Sequence, residues 1–405
     1  MWIPRDLAKK WNQTSLPVRI LRGLRQCGKT SFLEHIYPQS TVARMDDLGT
    51  RRLAQDDPAL FLKQHSPASR SPLIIDEAQY APHLFPEIKR QVDHHRRQRL
   101  SEGSASEIPP LFLISGSNQT LLTQGVRESL AGRASFYNLH TLSIREILSH
   151  NKDFSVFDYF LSGGWPELKL SPQLSVVNYL NDYISTFIEK DIAQSAGIEK
   201  LNSFETALGL LAARTGQQLN VSEVAGQSGV ESSTLRDWIS VLEQNQIVDL
   251  LQPYSSNLSK RLVKTPKLYF LEASLATRLQ GWSDLPPLLK SPSAGPLFET
   301  LVYSEIVRTL DHGCHSVKLY YLRTREGQEV DFLLVAPNSR FLLIEAKMGI
   351  QSVSPIVLGS ELKKVIPSGT PSWVVTPDGP QLQIAENCIQ IPITNLADQL
   401  ELFLR

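Results

Sequence analysis

Short apolar runs alternate with helix-length amphipathic stretches through the first third of the chain. Residues 18–21, 41–45, 73–75 and 111–114 each read as a buried strand, and the segments between them are long enough for helical crossovers. This alternation predicts a doubly wound parallel sheet, an α/β domain over residues 1–150. The polar stretch 101–110, rich in Ser, Glu, Gly and Pro, reads as a surface loop.

Beyond residue 150 the strand pattern fades. Residues 157–161 and 176–191 read as helices, parted by a turn at Gly163-Gly164-Trp165-Pro166. Three shorter helices follow at 204–214, 221–228 and 232–244, with Asn220 and Glu223 spaced as a capping box for the second. Strand-like runs at 247–251 and 267–271 complete an order that resembles a winged helix-turn-helix, giving a connector over 151–285. Pro286-Pro287 and Ser291-Pro292-Ser293 mark a linker. The last region, 286–405, opens on an amphipathic helix (297–310) and continues with strands at 317–322, 330–335, 341–346 and 373–376, a second α/β domain.

Composition narrows the class. The 405 residues carry 41 basic and 41 acidic side chains, so the net charge of zero excludes a polycationic coat and an acidic tail. Three scattered cysteines, Cys27, Cys314 and Cys388, make neither a disulfide framework nor a paired zinc site. No apolar run approaches the roughly 18 residues of a membrane span. The first residues lack the layout of a signal peptide, so the expected location is the cytoplasm, away from membranes.

The most specific chemistry lies in Gly23-Leu24-Arg25-Gln26-Cys27-Gly28-Lys29-Thr30, a complete G-x-x-x-x-G-K-[ST] between a strand and a helix. In such a loop the backbone N–H groups from Gly23 through Arg25, Gln26, Cys27 and Gly28 to Ser31 cradle phosphates. Lys29 adds a positive charge at the β/γ-phosphates and the Thr30 hydroxyl a ligand for Mg²⁺. Cys27 is expected to face outward as a bystander. An apolar run ending in Asp76-Glu77, 47 residues after Lys29, supplies Asp76 as a carboxylate for the Mg²⁺ shell and Glu77 as a general base for water. Polar residues after the 111–114 strand, Ser117 among them, are placed to sense the γ-phosphate. Arg133 reads as either an arginine finger, which in trans requires a homo-oligomer, or a surface salt bridge.

These motifs, with Ile3-Pro4-Arg5, Leu130-Ala131-Gly132-Arg133, Gly163-Gly164-Trp165-Pro166-Glu167, Glu329-Val330-Asp331-Phe332 and Ile344-Glu345-Ala346-Lys347, resemble a family of prokaryotic P-loop ATPases of the AAA+/STAND assemblage. Its members carry a C-terminal domain of unknown function. The resemblance spans nearly the whole chain and implies ATP as the nucleotide, with hydrolysis. Leu24 departs from the proline usual at its position.

Asp331 followed by Glu345-x-Lys347 has the form of the restriction-endonuclease-like D…(D/E)-x-K centre, and the resemblance strengthens that fold assignment without establishing cleavage. Glu345 and Lys347, two apart on a strand, share a face. Asp331 and Glu345 would hold Mg²⁺ and Lys347 would orient water, with Glu299 or Glu305 as a further ligand. Lys260, Arg261, Lys264 and Lys267 form a basic wing suited to non-specific DNA contact, while Glu231 and Asp237 weaken the adjacent helix as a base reader. The basic run 89–99 has the pattern of a solvated helix face. Three readings stay open: an ATPase coupled to DNA, a nucleotide switch that docks a protein partner with an inactive scaffold, and an ATP-gated nuclease.

Overall fold

The computed structural model describes residues 2–13, 16–65, 71–101, 110–116, 129–254, 264–349 and 353–405. They form two compact units, Pro4–His140 and a larger one of Met1–Ile3 with Thr141–Arg405. Among the described residues no helix is long and apolar enough to cross a membrane.

The first unit is built on five parallel strands: β1 (Val18–Arg22), β2 (Val42–Arg44), β3 (Leu73–Asp76), β4 (Phe112–Gly116) and β5 (Ala134–Asn138). Their order across the sheet is β2-β3-β4-β1-β5. Four match the apolar runs of the sequence. The fifth, β5, was not among them, because only Tyr137 of its five residues is buried. Helices Lys29–Ile36 and Leu84–Ser101 belong to this unit, and Phe85, Ile88 and Val92 of the latter pack with Val18, Ile20, Ile75 and Ile114 in one apolar core. Because all five strands run the same way, the residues that follow their C-terminal ends gather at one edge, where ligands bind in open α/β sheets.

The second unit begins with short helices. The segment read as one helix over 176–191 is an α-helix, Val176–Tyr183, continued by a π-helical stretch, Ile184–Ile192. Helices Leu201–Ala212, Val221–Gln227 and Ser232–Gln244 then surround a small sheet of β6 (Gln217–Gln218), β7 (Val248–Leu251) and β8 (Lys267–Phe270), ordered β6-β8-β7. Asn220 caps the second helix by accepting from the Glu223 N–H at 3.3 Å. A long buried helix, Ala294–His312, leads into a mixed sheet of β9 (Lys318–Arg323), β10 (Glu329–Ala336), β11 (Arg340–Ala346), β12 (Ser372–Thr376), β13 (Leu382–Ala385) and β14 (Cys388–Pro392). Its order is β13-β14-β12-β11-β10-β9, antiparallel through β9, β10 and β11 and parallel from β11 through β12 to β14.

Arg308 anchors this unit from inside. Its guanidinium, 1% exposed, donates to Glu305 at 2.9 Å, Glu272 at 3.0 Å and the Thr141 hydroxyl at 2.9 Å. Glu272 in turn abuts the Gly163-Gly164 turn, where a Cβ on Gly163 would lie 2.5 Å from its carboxylate. Gly163 is also left-handed (φ 58°), so both space and backbone require glycine there.

Candidate active site

The phosphate loop leaves β1 at Arg22 and closes on the Lys29–Ile36 helix. Gln26 (φ 63°) and Gly28 (φ 95°) are left-handed, which curls the backbone so that its N–H groups line a concavity at the helix N-terminus. A Cβ at Gly23 would sit 2.1 Å from the Leu139 carbonyl oxygen, so only glycine passes that close. Lys29 is buried and folds its ammonium into the loop, donating to the carbonyls of Gly23 at 3.0 Å and Leu24 at 2.8 Å. From the N-terminal segment, buried Arg5 donates to the carbonyls of Cys27 at 2.9 Å and His140 at 2.5 Å.

Beside the loop stands a three-residue relay. Thr30 Oγ1 donates to Asp76 Oδ2 at 2.8 Å, and Ser115 Oγ donates to Asp76 Oδ1 at 2.5 Å. Ser115 reaches Asp76 because β4 lies between β1 and β3. Asp76 is 8% exposed, and a carboxylate so placed is tolerable only with such donors. Glu77, the next residue, is held at φ 54°, a conformation that costs a non-glycine residue of the order of 1 kcal/mol and is common at working sites. Its Oε2 accepts from Gln79 Nε2 at 2.5 Å.

A second cluster lies in the C-terminal unit. Carboxylate oxygens of Glu299, Glu329 and Asp331 converge within 4.8 Å of one another. Asp331 sits where the β9–β10 register shifts, between Val330 and Leu333, and its Oδ2 accepts from the Ala346 N–H at 2.9 Å. Lys347 donates to Glu345 at 2.7 Å, so the two do share a side. Burial, reinforced by the Asp331 charge, pushes the carboxyls of Glu299 and Glu345 up to about 7. Into the cluster runs the side chain of Lys267 from β8. Its ammonium donates to Glu299 Oε1 at 2.7 Å, pairs with Glu329, and lies 3.8 Å from Asp331.

Family models match three successive stretches of the chain. The model of an AAA domain matches residues 15–148, and two models described as domains of unknown function match 153–285 (DUF8612) and 294–396 (DUF4143). An uncharacterised protein of Mycobacterium tuberculosis is 31% identical over 319 residues, which covers 78% of this chain and 67% of that protein. The chain belongs to this family of AAA-domain proteins. An uncharacterised protein of Methanocaldococcus jannaschii is 23% identical over 412 residues, covering 92% of this chain and 83% of its own. A solved Walker-type ATPase of Pyrococcus abyssi is a weaker likeness, with a TM-score of 0.41 at 14% identity over 68% of this chain and 94% of that one.

As a member of this family, the chain carries a P-loop ATPase domain in its first unit. The structure brings Gly23, Gly28, Lys29, Thr30 and Asp76 together, with Arg25, Gln26 and Ser31 exposed around the loop. Ser117 lies outside the described residues. Ser115, two positions earlier, makes the contact with Asp76.

Three expectations need correction. Cys27 does not face outward: it is fully buried, and its thiol donates to the Leu139 carbonyl at 3.2 Å. Arg133 is not part of the phosphate site within one chain. Its carbonyl accepts from the N–H of Val18, the first residue of β1, so it lies at the opposite edge of the sheet from the loop. Four strand steps, about 13 Å, separate that edge from Arg22. Its guanidinium grips Asp93 with two bonds of 2.7 and 2.9 Å, which is the salt-bridge alternative. Lys267 lies on the hairpin strand β8 but is no surface cation of the wing: its side chain is 2% exposed, whereas Lys264 is exposed and Lys260 and Arg261 lie outside the described residues.

Of the two further ligands considered, Glu299 joins the cluster and Glu305 is committed to Arg308 and the Ile144 N–H. Sequence reasoning missed Glu329 and the clamp by Arg5, although both lie inside motifs that carried the family resemblance.

Proposed function

We propose that the first unit hydrolyses ATP with Mg²⁺, and that the relay of Thr30, Asp76 and Ser115 is the observation that carries this reading. Thr30 and Asp76 offer a hydroxyl and a carboxylate 2.8 Å apart, a donor pair suited to a hard divalent ion, and these residues would hold it. When bound, the ion offsets charge on the phosphates. Lys29 exchanges its two carbonyl partners for phosphate oxygens, and the helix N-terminus adds its dipole. Glu77 accepts the proton of the attacking water, its carboxylate steadied by Gln79.

What the ATPase acts on is the finer question. DNA coupling is supported by the order of three helices and a β-hairpin in the connector and by exposed Lys264. A nucleotide-driven switch that docks a protein partner is favoured by Lys267, since the best-placed lysine of the basic stretch is buried among acids and withheld from any phosphate backbone. The exposed face of helix Ser232–Gln244 and its cap, with Glu231 and Asp237 beside Arg236, points the same way. The ATP turnover rate with and without duplex DNA separates them. Stimulation that vanishes at high salt selects the DNA reading; indifference to DNA selects the switch.

A further inference from the structure

We propose that Lys267 is the resident cation of the C-terminal carboxylate cluster, filling the seat of a divalent ion and making the module a metal-free scaffold tied to the β7–β8 hairpin. This rests on the endonuclease-like reading of Asp331, Glu345 and Lys347, in which a metal is implied.

The residues do not fit that metal. A divalent ion of the Mg²⁺ class needs about six oxygens near 2.1 Å, each with a free lone pair aimed inward. Here Glu299 Oε1 already accepts from Lys267 at 2.7 Å and from the Tyr269 hydroxyl at 2.5 Å. Glu329 is held between Lys267 and Arg323. Asp331 Oδ2 is taken by the Ala346 N–H, leaving Oδ1 facing the ammonium at 3.8 Å. Glu345, the other half of the expected pair, gives its Oε1 to Lys347 at 2.7 Å, which leaves its Oε2 alone among these carboxylates as a buried oxygen with no hydrogen-bond partner, too few for a divalent shell.

The ammonium itself is suited to the place. A buried lysine would shed its proton unless acids compensate. The Lys267 ammonium has these acids on three sides, paired with Glu299 at 2.7 Å and with Glu329 and lying 3.8 Å from Asp331, so its charge is compensated where it is buried. The side chain comes from β8, which pairs with β7 and β6 rather than with the C-terminal sheet. One charge thus does two things: it offsets part of the negative charge of the acids, with Arg323 on the far side of Glu329, and fastens the hairpin to them.

The test is Mn²⁺ binding to the full-length, nucleotide-free protein, read by electron paramagnetic resonance and by the Mn²⁺-induced shift of the thermal midpoint. The Thr30–Asp76 site is common to all variants and cancels. Lys267→Met is expected to gain a Mn²⁺ site that the wild type lacks, and Lys267→Met/Asp331→Asn to lose it again. Lys267→Gln, which keeps a polar side chain, is the second variant should methionine destabilise the fold, with the same gain expected. A wild-type Mn²⁺ site abolished by Asp331→Asn overturns the proposal while leaving the metal-dependent reading of the cluster intact. A folded Lys267→Gln that gains no site overturns the proposal as well, because removing the cation has then not opened a seat.

Discussion

Thr30 and Asp76, 46 residues apart in sequence, are joined by a hydrogen bond of 2.8 Å between hydroxyl and carboxylate. One belongs to the first turn of the helix after the loop, the other to the last residue of β3, so the bond locks helix and strand at the point where ATP-bound Mg²⁺ is expected. Asp76→Asn keeps the shape and removes the charge. The expected outcome is loss of the Mg²⁺ dependence of ATP affinity, measured by titrating a fluorescent ATP analogue with the metal and with a chelator. A variant whose affinity still rises with Mg²⁺ would place the ion elsewhere.

Lys29 and Glu77 separate binding from turnover. Lys29→Ala deletes a charge-assisted phosphate contact, with an expected loss of affinity of about 10- to 100-fold. Glu77→Gln should bind ATP normally yet turn over about 10²- to 10⁴-fold more slowly, the usual range for removing a positioned base. The pair of assays is equilibrium binding and phosphate release. Normal release by Glu77→Gln would assign the base to another residue.

Arg308 is the structural counterpart of these residues. Arg308→Met leaves Glu272 and Glu305 buried without their cation, and breaking such a pair costs about 3–5 kcal/mol. The C-terminal unit should unfold at markedly lower urea concentration. An unchanged midpoint would mean that the two acids find other partners.

Carboxyls held partly or wholly away from water shape the pH response of that unit. Burial pushes Glu299, Glu305 and Glu345 up to about 7, from ordinary values near 4.5. Between those limits the folded state holds protons that the unfolded chain has released, so stability falls as pH rises through the window and levels off above it. The thermal midpoint, followed from about pH 5 to 8 at constant ionic strength, should therefore decline. Glu305→Gln should shallow the slope. A midpoint that climbs over this range contradicts the assignment.

The phosphate site was legible because its residues are nearly contiguous: eight positions spell the loop, and an apolar run ends in Asp76-Glu77. What escaped depended on neighbours distant in sequence. Ser115 matters only because β4 lies between β1 and β3, a fact of sheet order. Arg133 sits in the turn just before β5, which local pattern cannot assign to one sheet edge or the other. Lys267 was misread for a physical reason: in a stretch without acids a lysine looks solvated, and its counter-charges, Glu299 and Glu329, come from elements 32 residues and further along. The short strands β13 and β14 went unread for want of a long apolar run.

Gly23 rests against the carbonyl of Leu139, Cys27 donates its thiol to the same oxygen, and Arg5 spans the carbonyls of Cys27 and His140. His140 is the last residue of the ATPase unit. The loop that receives phosphate and the point at which the chain departs toward the second unit are therefore one braced corner. The side chains that shape the loop thus also hold the backbone of Leu139 and His140, so a substitution at Arg5 or Cys27 disturbs both at once.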